Sequence, residues 1–119
     1  MIWIAVGVLS IFWDPYLDVY LPLIPVYILG TYWTRSSPFL TLSILYLHHL
    51  LHGENWFYEL SLLVSLMLTT SIDEYFYDER IPYIILSGIT FVIVLVFVSP
   101  IAAVLTAAEA LIVYSLRWV

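Results

Sequence analysis

The sequence contains no cysteine and no lysine, and its 119 residues carry only three basic side chains, Arg35, Arg80 and Arg117. Lack of cysteine excludes disulfides, thiolate metal sites and a cysteine nucleophile. Three arginines against nine acids give a net charge of −6, so nucleic acid is not expected as a partner, because phosphate binding depends on Lys and Arg. Anionic lipid headgroups are disfavoured on the same ground. Charged residues make up 10% of the chain, far below the roughly 25% of a soluble globular protein, which leaves no room for a water-facing domain. The four glycines (Gly7, Gly30, Gly53 and Gly88) form no phosphate loop, and neither GxSxG nor HExxH occurs.

What remains is apolar. Hydrophobic residues reach 64% and the mean hydropathy is +1.05. A transmembrane helix needs about 20 predominantly apolar residues, and several such stretches can be laid end to end here. Five Trp and ten Tyr contribute to an aromatic content of 18%, and Trp3, Trp13, Trp33, Trp56 and Trp118 sit near the ends of the apolar runs, where amphipathic rings settle at the headgroup level. The expected fold is an all-α integral membrane protein, one polytopic domain over residues 1–119. It is a compact bundle of about six short transmembrane helices, or five plus a half-inserted N-terminal segment.

The first run, Met1 to Trp13, lacks the basic region and small-residue cleavage site of a secretory signal, and reads as a retained hydrophobic segment. It covers only about 20 Å as a helix and stops at Asp14-Pro15. The second, Tyr16 to Trp33, carries Pro22 and Pro25, which are expected to kink it. After the polar turn Thr34 to Pro38, a third run extends from Phe39 to Leu51. Turn residues at His52 to Asn55 separate it from a fourth, Trp56 to Ile72. The only sustained charged segment, Asp73 to Arg80, belongs at or outside an interface. Beyond it, about 39 apolar residues run from Ile81 to Val119, twice what one span needs, and Ser99-Pro100 divides them into two helices.

Arg35, Arg80 and Arg117 follow the second, fourth and sixth segments and so fall on one side. By the positive-inside rule that side, with the C-terminus, is cytoplasmic. The intervening turns then gather Asp14, Asp18, His48, His49, His52 and Glu54 at the opposite face. Asp14 with Asp18, and His48 with His52, are four apart, the spacing that shares a helical face. Three readings fit this cluster: interfacial residues ending helices, with Asp14 and Asp18 capping the second one; a proton or ion vestibule, since His titrates near neutrality; and a metal or haem held by His48 and His52. No cofactor is required by any motif.

Glu109 lies about nine residues into the last helix, near mid-bilayer, where a carboxylate suggests proton or cation handling or, protonated, a packing contact. Around it, Ala103 with Ala107 and Thr106 with Ala110 have small-xxx-small spacing. Glu59 is expected at the interface. In the acidic segment, Asp73, Glu74, Asp78 and Glu79 offer docking to a basic partner but lack the spacing of a calcium loop.

Three function classes follow. The leading expectation is a small non-catalytic subunit of a larger membrane complex, respiratory or otherwise energy-transducing, with the lipid bilayer and other membrane subunits as partners. The alternative is a proton- or cation-coupled transporter or channel component using Glu109 and the outer Asp/His cluster. An intramembrane enzyme or cofactor anchor is third.

Overall fold

The computed structural model describes residues 2–14, 17, 21–34, 38–52, 56–78 and 80–118. Among these, all regular structure is helical: α1 (Ile2–Ile11), α2 (Ile24–Thr34), α3 (Pro38–His52), α4 (Trp56–Ile72), a single 3-10 turn (Asp73–Tyr75), α5 (Arg80–Phe97) and α6 (Pro100–Trp118). They fill a body of 39 × 29 × 24 Å.

The shortest interior helix is the hub. α2 packs against α1, α4, α5 and α6, and Ile24, Tyr27, Ile28, Leu29, Thr31 and Tyr32 are all buried. A helix that is apolar all round belongs inside. Close approach to α1 depends on two glycines: a Cβ on Gly30 would run into the Trp3 indole, and one on Gly7 would stand 2.7 Å from the Tyr27 ring.

The start of α2 departs from expectation. The second run does not form one kinked helix from Tyr16 to Trp33. α2 begins at Ile24, so Pro22 precedes it and Pro25 occupies its first turn, where the missing N–H has no helical partner to lose. The prolines set the start of the helix instead of bending it. Asp14 is ten residues before the start of α2; Tyr16, where the expected helix began, and Asp18 lie outside the described residues. The connection is pinned by the Trp13 indole N–H, which donates to the Leu21 carbonyl at 3.1 Å.

The break at Ser99-Pro100 is where the sequence places it. The Ser99 hydroxyl accepts the Ala102 N–H at 3.1 Å, an N-cap, and Pro100 takes the first helical position. α5 and α6 then pack along their length. Ala102, Ala103, Thr106, Ala110 and Val113 form the buried stripe of α6, small enough for close contact. The Tyr83 hydroxyl crosses from α5 to donate to the Ala110 carbonyl at 2.7 Å. Its ring packs 5.0 Å from Trp118, so the helices are antiparallel and Arg80 and Arg117 share one end of the pair.

α5 and α6 are long and apolar enough to cross a membrane by length and composition. α1 and α2, at about 15 and 16 Å, are much shorter than the ~30 Å hydrocarbon core.

Polarity is arranged from the inside outward. Large apolar side chains cover the outer faces of α1, α3, α4, α5 and α6, with Phe39 at 82% exposure, Phe12 at 76% and Val96 at 70%. Buried polar residues include Thr31, His48, Glu59, Ser65, Thr69 and Thr90. The hydroxyls bond one turn back within their own helices: Thr31 to Tyr27 O at 2.7 Å, Ser65 to Ser61 O at 2.7 Å, Thr69 to Ser65 O at 2.8 Å and Thr90 to Leu86 O at 2.8 Å. In this way a polar group travels inside an apolar helix with its donor satisfied.

Gly30→Ala is expected to destabilise the fold by about 1–3 kcal/mol through overpacking against Trp3, whereas Gly88→Ala, with nothing near its added Cβ, should be neutral or slightly stabilising. Thermal unfolding of the two purified variants in the same detergent checks the contrast.

Candidate functional site

The described residues bring ionisable groups together where α1, α3 and α4 meet. His48 sits on the inner face of α3 one turn before its end, and Glu59 lies in the first turn of α4. Both side chains are fully buried, and His48 Nδ1 stands 3.2 Å from Glu59 Oε1. Glu59 Oε2 is also buried, with no hydrogen-bond partner among the described residues. His52, one turn beyond His48, stacks on it with ring centroids 4.1 Å apart and planes 15° from parallel. The His52 Nε2–H donates to the Ile11 carbonyl at 3.1 Å, satisfying one of the orphan carbonyls at the C-terminus of α1. The bond fixes the proton on Nε2, since a carbonyl can only accept.

These contacts place the ends of α1 and α3 side by side, and Asp14, three residues after Ile11, lies exposed at the same end. Trp56, Tyr46 and His49 surround the adjacent start of α4: Tyr46 meets Trp56 edge-on at 5.7 Å, and His49 lies 5.1 Å from the same ring.

Electrostatics limits what the pair can hold. Both partners are fully buried, so a charge on one without its counterpart on the other would cost several kcal/mol. Charging both stacked imidazoles at 4.1 Å would add about 4 kcal/mol of repulsion at an effective dielectric of 20. The contact ties α3 to α4.

The expectation of a metal or haem on His48 and His52 finds no support in this geometry. His48 Nδ1 faces Glu59 and His52 Nε2 faces a carbonyl. Among the described residues, no group of three or more His, Asp or Glu could hold a metal ion.

Glu59, expected at an interface, is buried at the centre of the cluster, a contact that its position near a helix start does not announce. The signal that reveals it is hairpin symmetry: His48 precedes the turn at residues 53–55 by about as many residues as Glu59 follows it, which brings them level when α3 and α4 fold back on each other.

Glu109 is not part of this site. It is the tenth residue of α6, partly buried, in a cleft of about 360 Å³ that it lines with Trp3, Val6, Leu9, Val26, Ile112 and Leu116. Apart from the Trp3 indole N–H, the other side chains there are apolar.

In the acidic segment, Asp78 is an internal partner. Its carboxylate accepts the Arg80 backbone N–H at 3.0 Å and grips the guanidinium through Nε and Nη2 at 2.9–3.1 Å. It thereby caps α5. Asp73 is half-buried in the 3-10 turn, Glu74 is exposed, and Glu79 lies outside the described residues.

Comparison with protein-family models, with curated proteins and with solved structures returns no match.

Two outcomes follow from the ionisable groups. Glu59→Leu should cost about 3 kcal/mol by stripping His48 of its buried partner, while Glu59→Gln, which keeps a hydrogen bond, should cost about 1 kcal/mol. Equal unfolding midpoints for the two in detergent would contradict the pairing. Hydrogen bonds from the Arg80 side chain and backbone, with its positive charge, hold Asp78 below the ordinary carboxylate value of 3.8. A depressed pKa stabilises the fold fully above that ordinary value and is lost as pH falls through the folded one. The Arg80 amide should thus exchange faster only in strong acid, and at all pH values in Asp78→Asn. Amide exchange followed by NMR checks both.

Proposed function

We propose that this chain is an integral membrane protein, anchored by α5 and α6, which serves as a small non-catalytic subunit packing laterally against other membrane helices. The observation that carries the reading is the apolar exterior. Phe39, Phe57, Leu68, Ile84, Val96 and Leu111, on four different helices, are all more than half exposed. Soluble monomers rarely show contiguous apolar patches beyond a few hundred Å², and lipid tails or the helices of partners are the surroundings that suit such a surface.

The interior agrees with this. Hydroxyls bonded to their own helices, small residues between α5 and α6, and aromatic clusters at both ends of the bundle are habits of helices in lipid. Among the described residues, nothing in the cluster at α1, α3 and α4 supplies a nucleophile with an oriented base. α2 is held by α4, α5 and α6, and α1 by α2 and α3, so on this reading neither needs to span the bilayer separately. With Arg80 and Arg117 at one end of the α5–α6 pair, the positive-inside rule orients that end toward the cytoplasm.

A second reading, proton or cation handling, is favoured by one observation: Glu59, His48 and His52 stand in series from the interior to the end of α1. Against it, α5 offers only Ser87 and Thr90 to carry a path onward.

The protein is expected in the membrane fraction, resisting extraction by alkaline carbonate, and migrating in mild detergent within an assembly larger than its own 13.8 kDa. Asp78→Cys should be labelled by an impermeant maleimide only after the cytoplasmic face is opened, and Asp14→Cys from outside. Release by carbonate overturns membrane residence, and a stable monomer that drives proton uptake in liposomes overturns the subunit reading in favour of the second.

A further inference from the structure

We propose that the groove between α5 and α6 binds a sterol, its fused rings lying along the groove and its hydroxyl at the end marked by Arg80 and Arg117. This rests on the membrane reading above and adds a ligand to it.

The groove has the size of a small-molecule site, about 410 Å³, against about 300–1,000 Å³ for typical ligand pockets. Tyr83, Gly88 and Phe91 of α5 and Ala107, Leu111 and Tyr114 of α6 line it. Small residues keep it open: a Cβ on Gly88 would meet nothing within 4 Å. From Tyr83 to Phe91 it runs about 12 Å along α5. An acyl chain held in such a recess loses the freedom of its many torsions, whereas fused rings have none to lose. A flat, rigid, apolar ligand therefore suits the groove better than a flexible one.

The chemistry changes at one end. Residues 80, 84, 87 and 91 share a face of α5 by their spacing, and Ile84, Ser87 and Phe91 line the groove, so Arg80 stands at its mouth. Beside Asp78, Arg80 has the Tyr114 hydroxyl as a neighbour. Tyr83 is held by its bond to the Ala110 carbonyl at 2.7 Å, with its ring 6.2 Å from that of Tyr114. Asp78 already grips the Arg80 guanidinium, so this end does not call for an anion. A neutral hydroxyl, which both donates and accepts, suits a guanidinium and a phenol side by side.

The sequence carries the same signal twice. Leu111-x-x-Tyr114-x-x-Arg117 on α6 has the order aliphatic, tyrosine, cation that is associated with sterol contact, and Arg80-x-x-Tyr83-x-x-Leu86 on α5 has it reversed. Each motif alone is short enough to arise by chance. Antiparallel packing of α5 and α6 puts both tyrosines in one groove and both arginines at one end, and that convergence is what the fold adds.

The test reconstitutes the purified protein into phosphatidylcholine liposomes with a cholesterol analogue bearing a diazirine on its rings, followed by irradiation and mass spectrometry of the adducts. Adducts are expected on Ile84, Ser87, Leu111 or Tyr114, competed by unlabelled cholesterol and poorly by its 3α epimer. Their yield should fall about tenfold in Gly88→Leu, whose side chain fills the groove, while background labelling of Phe57 on α4 stays unchanged. Ala107→Leu blocks the same groove from α6 and should act alike if Gly88→Leu does not fold. Equal groove labelling by a diazirine-bearing phosphatidylcholine, adducts spread evenly over the outer faces of α3 and α4, equal competition by the epimer, or a yield indifferent to both substitutions each overturn the proposal. Reconstituted protein without groove adducts sinks the sterol alone; protein that stays in water and does not enter the liposomes sinks the membrane reading with it.

Discussion

Thr31, Ser65, Thr69 and Thr90, all buried, donate to carbonyls one turn back in their own helices, and the one buried acid of the α1, α3 and α4 junction faces a histidine. That pattern answers a single constraint. With apolar side chains covering the outside, a polar group that points inward has no water to turn to and must be satisfied within the chain. Thr31 on the hub helix, Ser65 and Thr69 on α4 and Thr90 on α5 are tolerated in the interior because helical geometry offers the hydroxyls a local acceptor. A carboxyl has no such local answer. Glu59 reaches across to α3, and the lock between the two helices is a consequence.

The two carboxyls inside the bundle illustrate how surroundings decide role. Glu59 meets His48 at 3.2 Å with both fully buried, so its charge is balanced at home and the contact is structural. Glu109 is partly buried and lines a largely apolar cleft beside α1. The small helices take part in both: α1 lends the Ile11 carbonyl to His52 and a wall to the cleft.

Much of the fold was legible from residue type alone. Six helices, the break at Ser99-Pro100, the shared face of His48 and His52 and the common end of Arg80 and Arg117 follow from apolar runs, turn residues and spacing. The start of α2 did not, because Tyr16 to Leu23 is as apolar as a helix, and only the rule that prolines open helices separates a kink from a beginning. Glu59 was missed for a different reason. Hydropathy treats an acid near a helix start as interfacial, whereas its burial depends on which residue faces it across a hairpin. Spacing about the turn carried that information, and composition did not. Depth in a bilayer is likewise unreadable from single helices, since α1 and α2 are too short to span and take their place from the packing around them.

Membrane residence is tested most directly by nitroxide scanning along α5 in lipid bicelles, using single cysteines in a chain that has none of its own. Labels at Ile84, Val92 and Val96, which are 58%, 54% and 70% exposed, should collide freely with molecular oxygen and be shielded from a water-soluble nickel chelate, while Leu86, Thr90 and Val94 should be shielded from both. Collision of the nickel chelate with the exposed set would put water where lipid or a partner helix is proposed, and would contradict the account.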